Sequence, residues 1–167
     1  MRTFLSLLTS LLIAPAVVPL LTTALVYAQT TTETDAAALL VEANHLLYLG
    51  IQQYQISQFQ EALQSWDQAL ELYRNSAVQA AFPQESRQGE GIGLNNLGEA
   101  YRNLGQYQEA IDLYEQALDI IRKIGDRNSE IRTLLNLGLV YLQLEQYQQA
   151  LESYEQALAG ASQFGHE

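Results

Sequence analysis

Apolar positions recur at intervals of three and four along most of the chain. One run passes through Leu94, Leu97, Gly98, Tyr101 and Gly105, and the next through Tyr107, Ala110, Ile111, Tyr114, Ala117, Leu118 and Ile121. A 3.6-residue period gathers such positions onto one stripe of an α-helix, so the two runs predict a pair of amphipathic helices. Only Gly105-Gln106 separates them. A turn that short makes the two helices antiparallel neighbours. Gly125, directly after Ile124, fits the left-handed position that closes a helix. Gly98 and Ala110 are expected where the two axes cross, because a missing or single-carbon side chain permits close approach while Tyr101 and Tyr114 fill the space around them.

The pattern repeats. Displaced by 40 residues, Leu94, Asn96, Leu97-Gly98 and Tyr101 fall on Leu134, Asn136, Leu137-Gly138 and Tyr141, and Tyr114 to Leu118 fall on Tyr154 to Leu158. A displacement of 48 recovers a more diverged copy, with Leu46, Leu49-Gly50, Phe59, Ala62, Trp66 and Ala69 at the matching places. The eight extra residues lie around Ala77 to Glu85 and include Pro83, which predicts a longer connection after the first copy. Two helices of this length cannot bury their apolar faces alone, whereas three stacked pairs give each an inner neighbour. The expected fold is therefore all-α, a right-handed α-solenoid of three antiparallel helix pairs. The copies are placed at about 43–76, 91–124 and 131–164, within a repeat region 36–164 and ahead of a tail at 165–167.

The first 28 residues read differently. Met1-Arg2 makes a short basic start, and Thr3 to Ala28 carries no charge. That is the pattern of an export signal, with Val26-Tyr27-Ala28 offering slender side chains to a peptidase pocket. Cleavage is expected after Ala28, leaving Gln29 as the mature start and residues 29–35 as a polar spacer. An uncleaved membrane anchor is the alternative, and Pro15 and Pro19 weigh against it by interrupting a helix interior. Export to the periplasm or the exterior is the expectation, with no membrane association once the segment is removed.

Composition narrows the chemistry. The formal net charge is −11, with 8 Lys and Arg against 19 Asp and Glu, and Lys123 is the sole lysine. Nucleic-acid binding requires clustered cations to displace phosphate counterions, so a polyanion is not an expected partner. Cysteine is absent, which removes disulfides, thiolate metal sites and a cysteine nucleophile. Histidine occurs only as His45 and His166. No metal ligand set, cofactor or catalytic residue is expected. Gly89-Glu90-Gly91-Ile92-Gly93 resembles a phosphate-binding loop, but no lysine follows it and no strand precedes it. It is read as a helix start loosened by glycine. Glu109, Asp112, Glu115 and Asp119 are read as a solvated helix face.

Leu-x2-Leu-Gly-x2-Tyr followed by Ala-x3-aromatic-x2-Ala resembles the tetratricopeptide repeat, and the three copies extend from about Ala37 to Phe164. The period of 40 exceeds the family's usual 34 or so, and Arg122 and Ser162 stand where its proline would close the second helix. The longer period with Asn-Leu-Gly resembles repeat regions that precede CHAT domains in bacterial proteins. The resemblance implies a non-catalytic interaction module that holds a peptide or protein in the concave groove lined by the first helices. The groove candidates are Tyr48, Asn95, Asn96, Glu99, Arg102, Arg132 and Asn136. An amide offers both donor and acceptor, so Asn96 and Asn136 suit an extended peptide backbone or, equally, a tie between neighbouring helices. The family's carboxylate clamp is not met, since Leu47 and Ile51 replace its lysine and asparagine, although Arg132 keeps one basic element.

The acidic surface favours a basic partner. Two further readings stay open. The chain could assemble with itself through its repeat ends, or act as the recognition arm of a separate CHAT-like catalytic partner.

Overall fold

The computed structural model describes residues 17–162, with side chains from Thr32 onward. Among these residues there is no strand, and the helices run α1 (Val17–Gln55), α2 (Phe59–Tyr73), α3 (Ser76–Ala81), α4 (Pro83–Asn103), α5 (Tyr107–Ile124), α6 (Arg127–Gln143) and α7 (Tyr147–Ser162). The pairs α1/α2, α4/α5 and α6/α7 are the three expected hairpins, and they stack through α2 on α4 and α5 on α6. The result is an all-α solenoid.

Residues 1–16 of the expected export segment, Pro15 among them, and residues 163–167, with Phe164, His166 and the expected tail, lie outside the described residues. Ala28, Gln29 and the spacer 29–35 fall within the backbone of α1, which continues unbroken through them. Among the described residues no helix is long and apolar enough to cross a membrane.

Each hairpin closes on the same device. Gly50, Gly98 and Gly138 of the first helices lie directly under Trp66, Tyr114 and Tyr154 of the second, and a Cβ on Gly98 would sit 2.7 Å from the Tyr114 ring. Only a residue without a side chain lets the ring lie on the helix backbone. Trp66 is 2 % exposed and Tyr114 fully buried. The indole N–H of Trp66 donates to the Leu47 carbonyl at 3.1 Å, which satisfies the polar end of a buried ring. Leu63, Leu70, Leu94 and Leu97 fill the layer between the first two pairs, and Ile111, Leu118, Leu134 and Leu137 fill the layer between the second and third.

The hairpin turns also repeat. Ser57, Gly105 and Glu145, at equivalent places in the three copies, all adopt positive φ. Only the middle copy has the residue for which that conformation carries no Cβ penalty. Gly125 is left-handed at φ 76 and closes α5, as its position after Ile124 predicts.

The stretch after the first copy departs from expectation. Rather than a loop, Ser76–Ala81 forms α3, capped by the Asn75 side chain, which accepts from the Ala77 N–H at 2.9 Å. Val78 is fully buried and α3 packs on α1. Pro83 then starts α4, where its missing N–H has no helical partner to lose. The helix that carries the second copy thus starts at Pro83, ahead of 91, and Gly89 to Gly93 lies inside α4 rather than at its start. Those glycines are seats for α2 and α5, because a Cβ on Gly89 would collide with the Tyr73 ring, on Gly93 would touch Leu70 at 3.0 Å, and on Gly91 would touch Ile121 at 3.1 Å. A helix interior buried on this side presents no loop to a phosphate.

Candidate functional site

The first helices α1, α4 and α6 carry the groove candidates, and the structure sorts them. Asn95 is 1 % exposed and is enclosed between α4 and α6. The Thr133 hydroxyl lies 3.0 Å from Asn95 Oδ1 and 2.8 Å from the Ser129 carbonyl, so its single proton serves one of them at a time. The Asn136 amide donates to the same Asn95 oxygen at 3.5 Å. Asn95 is therefore a tie between repeats and is not available to a ligand. Asn136 is half-buried and joined to that tie. Thr133 completes the arrangement, and its role was not legible because the matching position in the second copy is Gly93.

Asn96 behaves otherwise. It is half-buried on α4, and its Nδ2, although enclosed, has no hydrogen-bond partner. Arg102 Nε and the Tyr114 hydroxyl are enclosed as well, and they interact with one another while meeting no further partner. An enclosed amide without a partner is unusual, since buried polar groups in folded proteins are almost always paired.

Around them stands a polar cluster built from two repeats. Tyr54 of α1 donates to Glu99 Oε1 at 3.2 Å, and the Asn103 amide donates to the Tyr54 oxygen through a short contact. Arg102 lies 3.9 Å from the same Glu99 oxygen. Tyr54 is anchored on its other side by an edge contact with Phe59 at 5.3 Å and a tilted one with Trp66 at 5.7 Å between ring centroids. Burial pushes the Tyr54 phenol up to about 12, with the Glu99 carboxylate adding in the same direction. Burial raises the Tyr114 phenol also, opposed in part by the neighbouring Arg102 charge. Both hydroxyls therefore keep their protons past the pH at which a free phenol ionises.

Tyr48 and Arg132 lie away from this cluster, both exposed, and Arg132 makes no ion pair among the described residues. Burial alone would raise the Asp126 carboxyl, but hydrogen bonds from Ser129 and the charge of Arg132 outweigh it and hold the group below its usual range. Tyr54 and Asn103 become central only in three dimensions, because their pairing spans 49 residues.

No other place among the described residues competes in chemistry. A cleft of about 300 Å³ between α3, α4 and α5 is lined by Gln79, Pro83, Arg87, Glu90, Ile120 and Lys123, where Glu90 pairs with Arg74 and Lys123 with Asp119, each at 2.6 Å. No group of three His, Asp or Glu side chains there is placed to hold a metal ion.

Crystal structures of similar chains include MamA, 19 % identical, covering 75 % of this chain and 82 % of that one at a TM-score of 0.42. Another is aspartyl phosphate phosphatase F from Bacillus subtilis, 15 % identical over 76 % of this chain and 42 % of that one, at a TM-score of 0.47. No curated protein matches by sequence. Two sequence models of the tetratricopeptide repeat match, one over residues 47–123 and the other over 90–163. Together they reach from the first helix pair to the last, and the chain belongs to the tetratricopeptide repeat family.

Proposed function

We propose that this chain is an exported, non-catalytic binding module that holds an extended peptide or protein segment across α1, α4 and α6. The observation that carries the reading is the α4 pair Glu99 and Arg102, both partly exposed, with the carboxylate fixed from one side by Tyr54 and Asn103. A backbone peptide unit complements them. Its carbonyl accepts from the Arg102 guanidinium, and its N–H finds an acceptor in Glu99. Tyr54 and Asn103 hold the Glu99 carboxylate in place before any partner arrives, which lowers the ordering cost of binding.

The net charge of −11 favours a partner with basic patches. Steering of that kind weakens as salt rises, because the Debye length contracts to about 8 Å at physiological ionic strength.

The test is capture of partners from the exported fraction by the wild-type chain and by Asn96→Ala/Arg102→Gln. The variant should lose at least tenfold in recovery, with helicity unchanged by circular dichroism. Equal recovery sinks the groove reading. Export itself is checked by intact mass: a product beginning at Gln29 supports cleavage after Ala28, and retention of Met1 in a membrane fraction refutes it.

A further inference from the structure

The two ends of the stack carry matching uncovered faces. Inside the chain, Leu63 and Leu70 of α2 are 9 % and 5 % exposed beneath α4, and Ile111 and Leu118 of α5 are 6 % and 5 % exposed beneath α6. Their counterparts on α7, Leu151 and Leu158, are 51 % and 70 % exposed, with Tyr147 alongside at 65 %. What covers this surface within the molecule is in both cases the first helix of another repeat. That helix uses one face, since Gly93 and Ala100 of α4 lie on the α2 leucines.

The equivalent face of α1 meets nothing among the described residues. His45 and Gln52 hold the places of Gly93 and Ala100 and are exposed. Val41, Tyr48 and Ile56 share their stripe at 68 %, 60 % and 67 % exposure. Of the ten large hydrophobic residues exposed among the described ones, six therefore sit on these two end faces.

We propose that copies of this chain associate head to tail, α7 of one against α1 of the next, continuing the α2/α4 and α5/α6 interfaces across molecules. The inference is independent of the groove reading, because neither Asn96 nor Arg102 takes part. Such a contact is heterologous, so it leaves a free end at each side and builds a chain of copies unless the rotation closes a ring. Each copy is acidic, so added salt should strengthen the association by screening repulsion. A basic partner in the groove should respond in the opposite sense.

The experiment is sedimentation and light scattering of the full chain over a concentration series, at low and physiological salt. Wild type should grow in mass with concentration. Leu158→Glu blocks the α7 face and Ile56→Glu the α1 face, and each alone should weaken association more than tenfold. Mixed together they should form a one-to-one dimer, since each variant retains the end the other lacks. A wild type that stays monomeric throughout overturns the proposal. So does an Ile56→Glu variant that still dimerises, because α7 would then be pairing with itself, and so does a mixture that remains monomeric. Helicity is followed in each case; should Ile56→Glu lose it, Val41→Glu on the same stripe replaces it.

Discussion

Helices α5 and α7 share Tyr-Glu-Gln-Ala-Leu and the same spacing, yet the leucine of one is core and that of the other surface. Leu118 is 5 % exposed and Leu158 70 %. The two leucines occupy the same place in their repeats and differ only in what lies over them. In a solenoid, burial is conferred by the neighbour, so identical sequence carries different energies at the interior and at the end.

The sharpest way to break that comparison is to truncate both leucines. Leu118→Ala should cost about 2–4 kcal/mol in urea unfolding, from lost transfer energy and the cavity left behind. Leu158→Ala, measured at a concentration where the chain is monomeric, should stay within about 0.5 kcal/mol. Comparable losses at both would mean that α7 is covered in the free molecule.

A second contrast lies between two glycines seven residues apart. A Cβ on Gly98 meets the Tyr114 ring, so Gly98→Ala should destabilise by about 1–3 kcal/mol through overpacking. Nothing lies within 4 Å of a Cβ on Gly105. Gly105→Ala should accordingly cost only about 1 kcal/mol, the conformational penalty of its positive φ. If Gly98→Ala proved the milder of the two, the seat under Tyr114 would not be rigid.

The matching turn of the last repeat extends the series in the other direction. Glu145 sits at φ 58 where the second copy has Gly105. Glu145→Gly should therefore raise stability, by about 0.5–1 kcal/mol in the melting curve, after allowing for the freedom glycine adds to the unfolded chain. A fall in midpoint would show that the Glu145 side chain contributes more than its strained backbone loses.

The smallest effect is expected at high pH and concentrates in the first two repeats. Burial raises the Tyr73 phenol to about 12, as it does Tyr54. Each folded phenol holds its proton more tightly than the unfolded one, so this stability is complete below pH 10 and declines as pH rises towards 12. Tyr54→Phe should flatten that decline in chemical denaturation followed across the interval. A slope unchanged by the substitution would exclude Tyr54 as a contributor.

Much of this architecture was legible along the chain. The spacing of Leu94, Leu97 and Tyr101, and of Ala110, Tyr114 and Ala117, is a local property that any helix of this composition shows, and its recurrence located every hairpin. The glycine-aromatic crossings were readable for the same reason. The start of α4 was not. Glycines weaken an isolated helix, and the gain that offsets them here is the approach of Tyr73, Leu70 and Ile121.

The groove candidates divided along the same line. Helical periodicity put Asn95, Asn96, Glu99 and Arg102 near one face, but a few tens of degrees of rotation decide between interface and surface. Asn95 turned inward to Thr133 and Asn136, whereas Asn96 kept an unpartnered donor.

By itself the sequence determined the six paired helices, their pairing and their number of stacked copies, because these follow from period, turn length and small-residue placement within a few tens of residues. It did not determine α3 or the start of α4. Tertiary structure alone decided which polar groups are used up as ties and which remain free, and which leucines are core. Those outcomes depend on groups brought together from different repeats, such as Tyr54 with Asn103 and Asn95 with Thr133, where the burial of each side chain is set by its neighbour across the interface.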